Sequence, residues 1–347
     1  MSPSAKADGQ QGGISVPKKR RVPQKILGVF ALLLVMVLAF SMISPIPGSW
    51  LIRFIFRNGV AVAPDNYEEI KAQVTVIKDL SYPSGYKSNF ADIYFPKDSI
   101  EPLPVVLWAH GGAFVGGDKS DVEIYATALA HEGFAVVCMN YQLAPEAKYP
   151  AAIIQTGEAY RWLSDIAAQY PLDMERLVLA GDSAGAHIIA QFAAIQNNKE
   201  YAAEMAMEQL VPLGTLKALL LFCGPFDVGK ISDGNNALIN FLMNTAAWAY
   251  WGSRDWADQF SSQATIAPHI TAEFPPAFIS DGNTGSFESH ARDLANVLHR
   301  NNVPVETYFI SPSMGEAIHE YQFIMNTAAG EESFQKMLGF LNQYVNE

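Results

Sequence analysis

The sequence predicts an α/β fold: a mainly parallel central sheet with helices on both faces. Three observations carry this. From about residue 65, short runs rich in Val, Ile and Leu alternate with stretches of helical length and periodicity. Several of the short runs, such as LPVVLWAH at 103–110 and FAVVCMNY at 134–141, are apolar almost throughout, as strands covered on both faces are. Apolar residues make up 50% of the 347 and charged residues 17%, enough material for a large core.

The elements follow in order. Residues 1–25 form a Gly/Ser/Pro/Gln-rich basic tail. Residues 26–43, ILGVFALLLVMVLAFSMI, contain no charge, and their length is near the ~20 residues needed to cross a bilayer as a helix. The basic flank before them predicts a single-pass membrane anchor with the N-terminus cytoplasmic and the body extracytoplasmic. Secretion after cleavage near Ala39-Phe40-Ser41 is the alternative. Residues 44–64, with Trp50, Phe54, Phe56, Arg53 and Arg57, read as an interfacial collar and linker.

The folded domain is expected over 65–347. Strands are predicted at 74–80 and 90–96, either side of a Tyr-Pro-Ser-Gly turn. Further strands are expected at 103–110, 134–141, 176–183, 216–226, 275–282 and 303–310. Helices are expected at 122–132, 151–168, 184–196, 286–300 and 331–345. Residues 197–214 form a polar connector. Residues 227–273, with Phe241, Trp248, Tyr250, Trp251 and Trp256, read as a helical cap inserted between two strands.

Composition excludes several functions. The net charge is −12, yet residues 1–25 hold six basic side chains and one acid, so the remainder carries −17. Such a body repels phosphate, which argues against a nucleic-acid partner. A mean hydropathy of +0.08 is too low for a polytopic membrane protein. The two cysteines, Cys138 and Cys223, end apolar runs and read as buried small hydrophobes. No CxxC or Cys/His spacing suggests a metal.

The chemistry lies in three places. Gly181-Asp182-Ser183-Ala184-Gly185 sits where a strand hands over to a helix. Small residues flank the serine because the turn is sharp, and the turn lifts the hydroxyl above the sheet edge. His110-Gly111-Gly112-Ala113-Phe114 follows another strand, where glycines let backbone N–H groups approach a developing oxyanion. GGAFVGGDKS is not a phosphate loop, because Asp118 occupies the position of the required lysine. A serine needs a base, and His319, in Ala-Ile-His-Glu-Tyr beyond the last strand, lies in the right order for one. His110 is assigned a structural role in its loop. No HExxH occurs.

HGGAF, then YQLAPE at 141–146 with Tyr149-Pro150-Ala151-Ala152, then GDSAG, then IHEYQF resemble the hormone-sensitive-lipase-like branch of the α/β-hydrolase fold. The resemblance covers roughly residues 65–345, with four motifs in order. It implies an esterase or lipase without a cofactor or metal, in which Ser183 is the nucleophile, His319 the base, and Gly111, Gly112 and Ala184 the oxyanion donors. The substrate would be a small-molecule or lipid-like ester.

The chain departs from the family at the acid. The family's aspartate position falls on Gly285. Asp281 at the end of the preceding strand, Glu288 at the start of the next helix, and Asp227 after the strand at 216–226 are the replacements, in that order. Two other readings stand beside an esterase: an amidase or peptidase on the same fold, and a non-catalytic ligand-binding homologue.

Overall fold

The computed structural model describes residues 24–57, 59–232 and 236–345. The chain divides into two compact units, residues 1–44 and 45–347. In the first, α1 (Gln24–Ser41) covers most of the uncharged run. Among the described residues no single helix is long and apolar enough to cross a membrane, so the structure does not support the spanning helix expected at 26–43.

The second unit starts at Pro45, ahead of the boundary near 65 read from the sequence. The reason is α2 (Ile46–Phe56), which buries Ser49 and Ile52 against the body where an interfacial linker was expected. After α3 (Tyr67–Ala72) come β1 (Val74–Ser81), β2 (Phe90–Pro96), β3 (Leu103–Ala109), α4 (Glu123–His131), β4 (Ala135–Met139) and α5 (Ala151–Ile166). β5 (Leu172–Asp182), α6 (Ala184–Asn197), α7 (Lys199–Glu204), β6 (Leu216–Phe222), α8 (Ala237–Trp251) and α9 (Trp256–Ala264) follow. The chain closes with β7 (Ala277–Asp281), α10 (Glu288–Arg300), β8 (Val305–Phe309) and α11 (Ala328–Val345).

Among the described residues eight strands form one sheet in the order β1-β2-β4-β3-β5-β6-β7-β8. β2 pairs antiparallel with β1 and β4, and the pairs from β4 through β8 are parallel. A core lies on each face. One gathers α5, α6 and the inserted helices over Val105, Leu107, Leu179 and Leu221. The other gathers α4 and α11 over Val106, Trp108, Ala180 and Leu220. Alternate residues of one strand thus feed opposite cores, which is why these runs are apolar throughout.

Differences from the expected elements are local. β5 begins at Leu172, where Leu103 pairs with it below a register shift. The polar connector contains α7, capped by the Asn198 side chain on the Tyr201 N–H and seated through Tyr201 and Ala202. The stretch expected as a cap contains α8 and α9. Tyr250 and Trp251 are buried against Phe114, with ring centroids 4.1 and 5.5 Å away. Cys138 and Cys223 are buried and unbridged.

Candidate active site

The carboxyl ends of β3, β5, β7 and β8 are the edge at which the motifs meet. Ser183 sits between β5 and α6 with φ 50° and ψ −118°, a strained conformation for a side-chain-bearing residue. The flanking glycines make it possible. A Cβ at Gly185 would run into the carbonyl of Ala109 on β3, and one at Gly181 into the backbone of Gly185. The nucleophile-type turn is therefore pinned against β3 by close backbone contact.

The Ser183 hydroxyl lies 2.9 Å from His319 Nε2. His319 stands in the turn after β8, held there by a bridge between Ile318 and Thr284. Burial pulls its imidazole down to about 4, so it is neutral and able to accept a proton at neutral pH. Its far nitrogen, Nδ1, lies 2.7 Å from the hydroxyl of Ser286. Ser286 in turn hydrogen-bonds Asp281 Oδ1. Asp281 therefore reaches His319 through a hydroxyl, with a carboxylate oxygen within 4.8 Å of the ring. Burial pushes the Asp281 carboxyl up to about 7, against the pull of its hydrogen bond from Ser286.

The other two acid candidates are elsewhere. Glu288 pairs with Arg292 one turn along α10, at 2.6 Å. Asp227 accepts from the Gly229 N–H at 3.1 Å and pairs with Lys230 at 2.9 Å. Ser286 was missed by sequence reasoning. The available signal was a hydroxyl immediately after Gly285, the position the family motif reserves for the acid.

The loop after β3 corrects one expected donor. The Gly111 N–H is consumed by Asp182 Oδ2 at 2.7 Å and does not face a substrate. Asp182, the second residue of GDSAG, also accepts from Trp108 Nε1 at 2.7 Å. It is thus a buried clamp joining β3, β5 and the loop. Burial beside Asp182 pushes the Glu320 carboxyl well above the ordinary carboxylate range. Gly112 and Ala184 remain as expected donors, and neither N–H has a protein acceptor among the described residues. Gly112 has φ 109°, and a Cβ there would strike the Gly116 carbonyl. His110, read as structural, has its Nδ1 2.7 Å from the Gly111 carbonyl and stacks its ring on Tyr141.

Among the described residues, Cys223, Asp281 and His319 bring a thiol, a carboxylate and an imidazole within 4.8 Å of one another. The Ser286 hydrogen bonds already occupy the facing atoms of Asp281 and His319. The arrangement matches hydroxyl activation better than ion binding.

Residues 91–291 match the family model described as BD-FAE. The chain belongs to the BD-FAE family. It is 29% identical over 266 residues to carboxylesterase NlhH of Mycobacterium tuberculosis, covering 74% of this chain and 81% of that protein. It is 30% identical over 225 residues to esterase LipI of the same organism, covering 62% and 67%. The crystal structure of esterase B from Lactobacillus rhamnosis matches with a TM-score of 0.71 over 93% of this chain and 95% of that one, at 20% identity, a likeness of fold. This BD-FAE-family chain is an α/β-hydrolase and a carboxylic ester hydrolase.

Proposed function

We propose that the ester is cleaved through an acyl-enzyme on Ser183. The observation that carries the reading is the hydrogen-bond chain from Ser183 through His319 and Ser286 to Asp281. His319 Nε2 takes the hydroxyl proton as Ser183 attacks the carbonyl, then returns it to the departing alcohol. Water enters by the same route and releases the acid. The Gly112 and Ala184 N–H groups hold the oxyanion at the mouth of the helix that starts with Ala184. The Ser286 hydroxyl accepts from His319 Nδ1–H, which fixes the tautomer, and Asp281 supplies the negative charge behind it. The substrate is a small-molecule or lipid-like ester, a reading supported by the carboxylesterase and esterase relatives.

The test is hydrolysis of p-nitrophenyl esters of increasing acyl length by the full chain, with a fluorophosphonate probe to find the activated serine. Turnover with labelling confined to Ser183 is expected. Labelling elsewhere, or binding of esters without turnover, would overturn the reading in favour of another nucleophile or of a ligand-binding homologue.

We further propose that residues 26–43 seat the protein in a membrane, with the N-terminus cytoplasmic and the body extracytoplasmic. The basic flank and the uncharged run support this. So does α2, which exposes Trp50, Leu51, Phe54 and Ile55 and stacks Arg57 on Phe54. Protease added to intact cells should digest the body and spare residues 1–25. A protected body would reverse the topology, and a mature chain starting near Met42 would show a cleaved signal.

A further inference from the structure

The YQLAPE motif and the N-terminal helix α2 meet in a contact that the proposed reaction does not by itself require. Arg53, on α2, lies outside the residues that match the family. Its Nε donates to the carbonyl of Val115, in the turn that follows Gly112. Its Nη2 donates to the carbonyl of Ala144 at 2.8 Å. The same guanidinium forks onto both oxygens of Glu146, the last residue of YQLAPE, with one arm at 2.9 Å. That interaction holds the Glu146 carboxyl below the ordinary range. The backbone of α2 is close too: a Cβ on Gly116 would sit 3.6 Å from Arg53 Cα.

The loop so gripped is the one that presents Gly112. The Gly112 carbonyl accepts from Val115 N–H at 3.2 Å and from Gly116 N–H at 2.8 Å, so the 112–113 peptide, adjacent to the one that carries the Gly112 N–H, is tied to Val115 and Gly116. Phe114 O accepts from Ala144 N–H at 3.0 Å, which joins the two segments that Arg53 spans. Ala113 and Phe114 have positive φ, 53° and 64°, without being glycine. Such a turn persists only where its surroundings over-determine it. A planar, five-donor guanidinium makes four hydrogen bonds at once, to two carbonyls and both oxygens of a carboxylate, one more than an ammonium has donors.

We infer that Arg53 is a positioning residue for the oxyanion site, locking the 112–116 turn onto the 144–146 segment from outside the family's core. The role rests on the proposed Ser183 reaction. α2 thereby becomes part of the catalytic apparatus, and Glu146 acquires a reason for its place: it orients Arg53.

The test uses the full-length protein and p-nitrophenyl acetate, a soluble ester whose delivery does not depend on a membrane. The number of active sites is titrated with a fluorophosphonate. Arg53→Ala should lower kcat per titrated site by about 10- to 100-fold with KM within about threefold. Affinity for a trifluoromethyl ketone, whose adduct places an oxyanion on the same donors, should fall by a similar factor. Arg53→Lys should not restore it, and Glu146→Gln should show a smaller loss of the same kind. If Arg53→Ala does not fold, Arg53→Lys and Glu146→Gln carry the comparison. Unchanged kcat per active site, with loss only of melting temperature or of titratable sites, would overturn the inference as mere structural support. So would a kcat loss with undiminished ketone affinity. Absence of esterase turnover in the unsubstituted protein would instead overturn the Ser183 reading.

Discussion

Ser183→Ala should abolish ester turnover, by about 10⁴-fold or more, while the fold survives. The Oγ removed is the atom 2.9 Å from His319 Nε2, and among the described residues no other hydroxyl hydrogen-bonds that nitrogen. Little stability should be lost. Alanine at φ 50° is as strained as serine, and the turn is held by Gly181 and Gly185 against β3, not by the serine side chain. The check is kcat on p-nitrophenyl butyrate alongside a thermal melt. A variant that kept a tenth of the rate would remove Ser183 from the mechanism.

The second large effect belongs to the acid. Asp281→Asn should lower kcat by roughly 10³–10⁴-fold with little change in KM. The asparagine amide can donate to Ser286 Oγ, so the Ser286 hydroxyl would turn its proton toward His319 Nδ1. That stabilises the wrong tautomer and leaves Nε2 unable to accept from Ser183. Ser286→Ala should cost about 10²–10³-fold, because Asp281 then lies beyond hydrogen-bond reach of the ring. The double substitution should be little worse than Asp281→Asn alone, since both break one chain. Glu288→Gln, affecting a residue committed to Arg292, should change kcat by less than about tenfold.

The same carboxyl predicts a pH dependence. Burial raises Asp281 to about 7, and burial lowers His319 to about 4. His319 is therefore already neutral when Asp281 loses its proton. Turnover should rise with pH through about 7 as the carboxylate gains its charge, and Asp281→Asn should flatten that limb. A limb that stayed unchanged in the variant would assign it to another group.

Much of this was legible in the residues because the constraints are local. A strand buried on both faces must be apolar at every position, and 103–110 and 134–141 read as strands for that reason. A sharp strand-to-helix turn that carries a hydroxyl needs glycine where backbones touch, and Gly181 and Gly185 announced it. The misreadings share a cause. Gly111 was assigned as a donor from the motif, but β5 ends by placing Asp182 against its N–H. A buried carboxylate requires donors, and this one takes Trp108 and Gly111. Residues 44–64 read as an interfacial collar because Trp50, Phe54 and Phe56 are exposed-type aromatics beside arginines. Those aromatics are exposed, and what that reading left out is that the same helix seats on the body through Ser49 and Ile52.

By itself, then, the sequence determined the layered α/β architecture, the serine turn, the histidine that would face it and the esterase resemblance. Each depends on neighbouring residues and on periodicity along the chain. Only the tertiary structure showed that, of Asp281, Glu288 and Asp227, it is Asp281 that lies behind His319, that Ser286 stands between Asp281 and His319, and that Arg53 grips the turn that contains Gly112. These depend on where a loop sets a side chain some ångströms from a partner 33 to 91 residues away, and spacing along the chain does not encode that distance.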